Sequence, residues 1–236
     1  MGLASGFESS QAQASGLTIQ WLGHMCFLLT GGGRRVLVNP FRTLGCTAGY
    51  RLPKVATDLV LISSQLLDEG AIEILPGNPR LLYEPGSFQV DGTSIQGIRT
   101  DHDRIGGKQF GTNVAWQWKQ AGITILHLGG TAAAISDEQH TLMGRPDVVM
   151  IPVGGGSKAY TPEEARDAIA ILQPKIVIPM YYQTKAASAS CTIGSVDDFL
   201  SKMNGVPVHH IGDSISLSPR DLPAKDMVIQ LMSYRF

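Results

Sequence analysis

The stretch Asp58–Gly70, DLVLISSQLLDEG, decides the fold. Leu59, Val60, Leu61 and Ile62 form a short apolar run that opens from a lone Asp58, the pattern of a buried strand. Ser63 and Ser64 end the run, and the chain passes on to Asp68 and Glu69. Sites in α/β proteins are built at the carboxyl ends of strands, so chemistry is expected just after Ile62. Taken alone, the segment offers one Asp–Glu pair and two hydroxyls.

Composition bounds the answer around this stretch. With 236 residues, 43% hydrophobic and 17% charged, the chain is globular and long enough to bury a sizeable core. A net charge of −1 and the lack of a basic cluster exclude a nucleic-acid partner. No apolar run approaches the length of a membrane span. Cys26, Cys46 and Cys191 are odd in number and widely spaced, without zinc-finger or thioredoxin spacing. They are expected to be reduced and buried, in a cytoplasmic setting. Residues 1–16 are rich in Gly, Ala, Ser and Gln, lack a basic n-region and a long apolar h-region, and read as a flexible tail. Residues 17–236 are expected to form a single domain.

Alternation predicts strands over 17–22, 25–29 and 34–39, with Gly31-Gly32-Gly33 as a hairpin turn and Asn39-Pro40 as the stop. Residues 41–56 show no period and read as a loop on the side of the site. Further strands are expected over 80–84, 88–90, 93–100, 112–119 and 123–128, so the first half reads as mostly antiparallel. An apolar strand over 147–153 leads into Gly154-Gly155-Gly156. Thr161-Pro162-Glu163-Glu164 is a strong helix start, with Thr as N-cap, Pro in the first turn and acids at the positive end of the dipole. That helix runs to Leu172. A strand over 175–180, a helix over 195–203 and strands over 208–211, 214–218 and 227–232 complete an α/β (α+β) layered sandwich.

The order of these pieces carries a resemblance. WLGH, VLVNP, DLVLIS with its loop, TDHD, GITILHLGG and PKIVIPMYY follow one another as they do in the metallo-β-lactamase fold, over roughly Leu17–Leu217. Within it the chain looks most like small metal-dependent hydrolases related to the ascorbate-6-phosphate lactonase. The resemblance implies an αββα sandwich and a centre of two metal ions, usually zinc. The ions are held by an H-x-H-x-D-H loop, a later His, an Asp and a final His. Such an ion lowers the pKa of a bound water to about 7, so that it attacks a carbonyl or phosphoryl centre.

This chain departs from that pattern at most ligand positions. Carried over, the loop's two leading His become Ser64 and Leu66, its Asp is kept as Asp68, and its last His becomes Glu69. The later His is kept as His102. The bridging Asp becomes Gly130 and the final His becomes Tyr181. One half-site is thus expected from Ser64, Leu66 and His102, and the other from Asp68, Glu69 and Tyr181, with nothing bridging them. Leu66 and Gly130 have no ligand to offer, and a Ser hydroxyl is a poor one for zinc.

The remaining candidates weigh less. Asp68, Glu69 and His102, with Asp101 or Asp103, could hold one Mg²⁺- or Mn²⁺-like cation. His24 reads as structural, His127 as a satisfied core histidine, and Trp116 and Trp118 as packing between layers. Gly154–Lys158 suggests a turn at the pocket rim more than an anion cradle, since it lacks P-loop spacing. Ser64 as a nucleophile would need His102 as its base.

The expectation is therefore a catalytically degenerate homologue, leaning away from an enzyme. It would have no cofactor and no confident catalytic residue, and would act by binding a small molecule or a protein partner; homo-oligomerisation is left open. The alternatives are a metal-dependent hydrolase of phosphoesters or lactones with one residual cation site, or a structural subunit of a larger assembly.

Overall fold

The computed structural model describes residues 16–235; apart from Gly16, the expected N-terminal tail lies outside them. Two sheets face each other. The first has six strands in the order β13-β1-β2-β3-β4-β5. These are β1 (Leu17–Gly23), β2 (Cys26–Gly31), β3 (Arg34–Val38), β4 (Leu59–Leu61), β5 (Arg80–Leu82) and β13 (Ser214–Leu217). The second has eight, ordered β12-β14-β11-β10-β9-β8-β7-β6. They are β6 (Gly86–Val90), β7 (Thr93–Asp101), β8 (Thr112–Gln120), β9 (Ile123–His127), β10 (Val148–Pro152), β11 (Ile176–Met180), β12 (Val208–His210) and β14 (Val228–Leu231). Helices are few among the described residues: α1 (Asp137–Met143), α2 (Pro162–Leu172) and α3 (Val196–Leu200).

The apolar run of the opening stretch is β4, and all three of its residues are buried. It pairs in parallel with β3 and β5, while the other pairings within the first half are antiparallel, as expected. A strand covered on both faces tolerates parallel neighbours because its side chains need no solvent-facing alternation. The sheets pack through alternating inward residues, among them Ile19, Phe27, Val36 and Leu59 of the first and Ile95, Trp116, Trp118 and Ile125 of the second. Trp116 and Trp118 are fully buried, as expected of inter-layer packing. The indole of Trp116 donates to the Ile62 carbonyl at 3.1 Å. The Ser63 carbonyl accepts from the Val114 amide at 2.8 Å. These two bonds pin the end of β4 to β8 and fix where the following loop leaves the core.

α2 begins where its residues predict. Thr161 accepts from the Glu164 amide, and Glu164 reaches back to the Thr161 amide. α3 ends at Leu200, short of the expected 203. α1 was not expected. Its sequence DEQHTLM is too short for a clear period, yet Ser136 and Gln139 form a capping box at its start.

Cys46 and Cys191 are bonded to each other across 145 residues, which corrects the expectation of three reduced thiols. Local spacing carries no information about two loops that meet only in the folded chain. The bridge ties the 41–56 loop to the segment after β11. Tyr50 Oη and Thr184 Oγ1, 2.6 Å apart, tie it a second time. The bridge also removes the ground on which a cytosol-like compartment was expected. No helix of the described residues is long and apolar enough to cross a membrane.

Candidate functional site

The carboxyl ends of β4, β9, β10 and β11 open at one end of the sandwich; β9, β10 and β11 run parallel to one another. After β4 the chain turns tightly. The Leu66 amide donates to Ser64 Oγ at 3.2 Å, and the Glu69 amide to the Leu66 carbonyl at 3.0 Å. Asn39, in left-handed backbone after β3, accepts from the Ser63 amide at 2.8 Å and braces the same loop. The loop thereby sends two adjacent carboxylates, Asp68 and Glu69, in different directions.

Glu69 points inward. Its Oε1 lies 2.5 Å from His102 Nε2, and both side chains are fully buried. The other imidazole nitrogen, Nδ1, donates to the Gly130 carbonyl at 2.6 Å. Burial lowers the His102 pKa, but the Glu69 charge and its hydrogen bond outweigh it, and the net direction is upward. Because Nδ1 donates to a carbonyl, which can only accept, the imidazole is tied at both nitrogens, to Gly130 and to Glu69. Glu69 Oε2 is buried without a hydrogen-bond partner. Gly130 is there because the imidazole needs its room: a Cβ would stand 2.1 Å from His102 Cε1. Asn113 holds the Gly130 segment in place, accepting from the Gly130 amide at 2.8 Å and donating to Leu128 O and Thr100 Oγ1.

Asp68 points toward the rim and keeps a quarter of its side chain exposed. Lys158 Nζ is in direct contact with its Oδ2, and His24 Nε2 lies 3.9 Å from the same atom. Burial raises the Asp68 pKa, but His24 and Lys158 together hold it well below the usual carboxylate range. His24 is buried, and its ring sits 4.7 Å from that of Tyr181. Both residues have left-handed backbone, with φ of 52° and 54°. Bulky side chains rarely adopt it, and such strain gathers at functional sites.

The expected half-sites are not the ones that form. His102 pairs with Glu69 across the supposed divide and does not join Ser64 and Leu66. Ser64 Oγ accepts from the Leu66 amide, and both nitrogens of His102, the base it would need, are engaged by Gly130 and Glu69. Tyr181 packs on His24. Asp103 is no candidate ligand, because its two oxygens accept from the amides of Ile105, Gly107, Gln109 and Phe110. Burial raises its pKa, but these four donors together push it down to about 2. His127 is the satisfied core histidine expected. Its Nε2 donates to Met25 O, its Nδ1 accepts from the Gly129 amide, and burial leads in bringing it down to about 4.

Lys158 is the residue the sequence reading missed. Gly154–Lys158 is a rim turn, as expected, but its role is to deliver an ammonium to Asp68. The start of the same loop, Ser63–Leu66, borders a groove of about 470 Å³ that is also lined by Tyr83, Arg99, Phe110 and Val114, among others, but not by Asp68 or Lys158.

The donor chemistry does not fit a two-ion centre. Leu66 and Gly130 supply no ligand, both nitrogens of His102 are engaged, and Asp68 already faces a cation. Among the described residues, no three His, Cys, Asp or Glu side chains stand together as a group that could hold a metal ion. The orphaned Glu69 Oε2 is the one unsatisfied carboxylate oxygen of the centre.

Comparison with known proteins is clear. The Beta-lactamase superfamily domain matches residues 18–181. The UPF0173 metal-dependent hydrolase of Thermococcus onnurineus is 28% identical, over 70% of this chain and 84% of its own. A second UPF0173 metal-dependent hydrolase, from Thermoplasma acidophilum, is 27% identical over 71% and 84%. A solved structure from Thermotoga maritima, named as a candidate Zn-dependent hydrolase of the metallo-beta-lactamase superfamily, is 29% identical. It superposes with a TM-score of 0.75 over 93% of this chain and all of its own. These relatives overturn two expectations, that of a degenerate homologue acting only by binding and that of a protein without a cofactor. The chain belongs to the metallo-beta-lactamase superfamily.

Proposed function

We propose that the chain is a hydrolase of the metal-dependent kind for which its relatives are named, acting on phosphoesters or lactones at the rim around Asp68. The observation that carries this reading is the environment of Asp68. A carboxylate held ionised at the mouth of the family's cleft, partly open to solvent, is a ready anchor for positive charge. The names of the relatives supply the reaction class.

The other residues have separable roles in this reading. Asp68 is too acidic to be an effective general base near neutral pH, since a base works best with a pKa close to the working pH. It serves as an anchor. Glu69 and His102, fully buried, hold the floor of the site rigid and reach no substrate as they stand. Leu66, Tyr83, Phe110 and Val114 give the groove an apolar wall, which suits a substrate with an apolar portion.

The test is hydrolysis of a panel of activated phosphomonoesters, phosphodiesters and lactones, with Zn²⁺ or Mn²⁺ and with chelator. Turnover above buffer that rises with the ion and disappears in Asp68→Asn is expected. No turnover with any ion would overturn the reading.

A further inference from the structure

The candidate site opens at the carboxyl ends of the parallel strands; a second groove, of about 570 Å³, opens at their amino ends. We infer that this groove binds a small amphipathic phosphate, a dianionic phosphoryl head carried on an apolar body. The inference does not rest on the proposed function.

Topology sets the position. β10, β11 and β14 are parallel neighbours. Arg145, Gln173 and Met227 of the groove each lie just before one of them, ahead of Val148, Ile176 and Val228 in turn. Lys158 and Tyr181 follow β10 and β11 at the other end. Strands of five residues span about 16 Å, so the depth of the sheet separates this groove from Asp68.

Charge selects the head group. Arg145, Arg166, Lys202 and Lys225 line the groove and no carboxylate does, in a chain whose net charge is −1. Two of the four are answered from outside the lining, Arg166 by Asp167 at 2.6 Å and Lys202 by Glu163 at 2.8 Å. The other two form no ion pair among the described residues. Arg145 gives its Nε to the Gln173 carbonyl at 2.7 Å, at the C-terminal end of α2. That bond positions the guanidinium and leaves its two Nη groups for a ligand. Capping of a helix end accounts for Arg145, but not for Lys225, which belongs to no helix and lies in the turn before β14. Two uncommitted positive charges match a phosphate monoester, which carries about −1.5 to −2 near neutral pH. The parallel N–H groups of a guanidinium fit two phosphoryl oxygens.

The floor defines the rest of the ligand. Ile169 is 2% exposed and Met203 7%, and the half-buried Met227 adjoins them in the lining. Isoleucine and adaptable methionine side chains suit apolar atoms and offer an inorganic ion nothing. The volume falls within the roughly 300–1,000 Å³ of small-molecule sites.

The test is isothermal titration of the full chain with hexylphosphonate, whose P–C bond is not a phosphoester. Methylphosphonate supplies the head alone, and hexyltrimethylammonium the tail with the opposite charge. Hexylphosphonate is expected to bind, methylphosphonate to bind on the order of 10-fold or more weaker, and hexyltrimethylammonium not to bind. Lys225→Gln is expected to weaken hexylphosphonate on the order of 10-fold, and the double variant Lys225→Gln with Arg145→Gln on the order of 100-fold. If loss of the Gln173 contact unfolds the double variant, Lys225→Glu replaces it and is expected to abolish binding. Asp68→Asn is expected to bind as the natural protein does, which places the ligand away from the candidate active site. No binding of hexylphosphonate, equal binding of methylphosphonate, an unchanged affinity in Lys225→Gln or a loss in Asp68→Asn would each overturn the proposal. Turnover is no part of the readout, so the hydrolase reading can fall while this site stands.

Discussion

Asp68 and Glu69 are neighbours in sequence and both are carboxylates, yet the fold gives them opposite work. Glu69 is sealed inside, hydrogen-bonded to His102. Asp68 stands at the rim with Lys158, still touched by solvent. The inner pair holds the floor of the cleft; the outer pair faces whatever enters. Removing a partner from a sealed pair leaves a charge that water cannot reach, whereas removing one from an open pair leaves a charge that water can partly screen. Stability should therefore follow the inner pair and ligand chemistry the outer one.

The largest effect expected is on the inner pair. His102→Ala leaves Glu69 charged and buried, and should cost about 3–5 kcal/mol in urea unfolding. A loss below about 1 kcal/mol would mean that the pair is not sealed. Opening the Cys46–Cys191 bridge with the double Ser variant should cost about 2–4 kcal/mol, read as a lowered melting temperature. It tests whether the 41–56 loop is held by the disulfide or mainly by its other contacts. Gly130→Ala pushes a methyl into the His102 ring and should cost about 1–3 kcal/mol. A neutral outcome would show that the imidazole has room to move.

Two pH effects separate the pairs further. The His102 pKa is raised in the folded chain, so the stability drawn from its pair is fully present below its unfolded value of about 6.5. That stability is lost as pH rises through the raised folded value. Unfolding of the natural protein should therefore ease on the alkaline side, and that slope should be absent in His102→Asn. Asp68 and Asp103 have depressed values, so their contribution is present above about pH 3.9. It fades as pH falls through their folded values, which for Asp103 is about 2. The acid limb should steepen over that window and flatten in Asp103→Asn. The smallest stability effect expected is that of Lys158→Met, within about 1 kcal/mol because the pair is partly open.

Much of the fold was legible from local chemistry. The apolar run 59–62, the glycine hairpin after β2 and the Thr161 cap with Pro162 are each decided by residues within a few positions of one another. What failed was long-range or too short. The pairing of β13 with β1 joins ends of the chain some 200 residues apart, and no residue pattern announces it. α1 was missed because seven residues show no period, although Ser136 and Gln139 spell a capping box. The site was half legible. The substituted ligand positions do lie in one region, but their partners were misread. Glu69 and His102 were placed in different half-sites, and only the fold shows them in contact. Lys158 was read only as part of a rim turn, and nothing in the sequence places Asp68 opposite it. The one signal available was position: Lys158 follows β10 at the same sheet end as Tyr181 follows β11. The degenerate reading failed for a further reason. It judged the site by the side chains missing from a familiar pattern, whereas relatives 27–29% identical over the same fold are named metal-dependent or Zn-dependent hydrolases.

The division of labour between the two carboxylates is tested most directly by Asp68→Asn and Glu69→Gln side by side, with stability and ion-supported hydrolysis measured on each. The account predicts that Asp68→Asn keeps its unfolding free energy within about 1 kcal/mol and loses turnover on the order of 10- to 100-fold, as expected for losing an anchoring group. Glu69→Gln should lose stability first. An Asp68→Asn protein that still turns over substrate at the natural rate would contradict it.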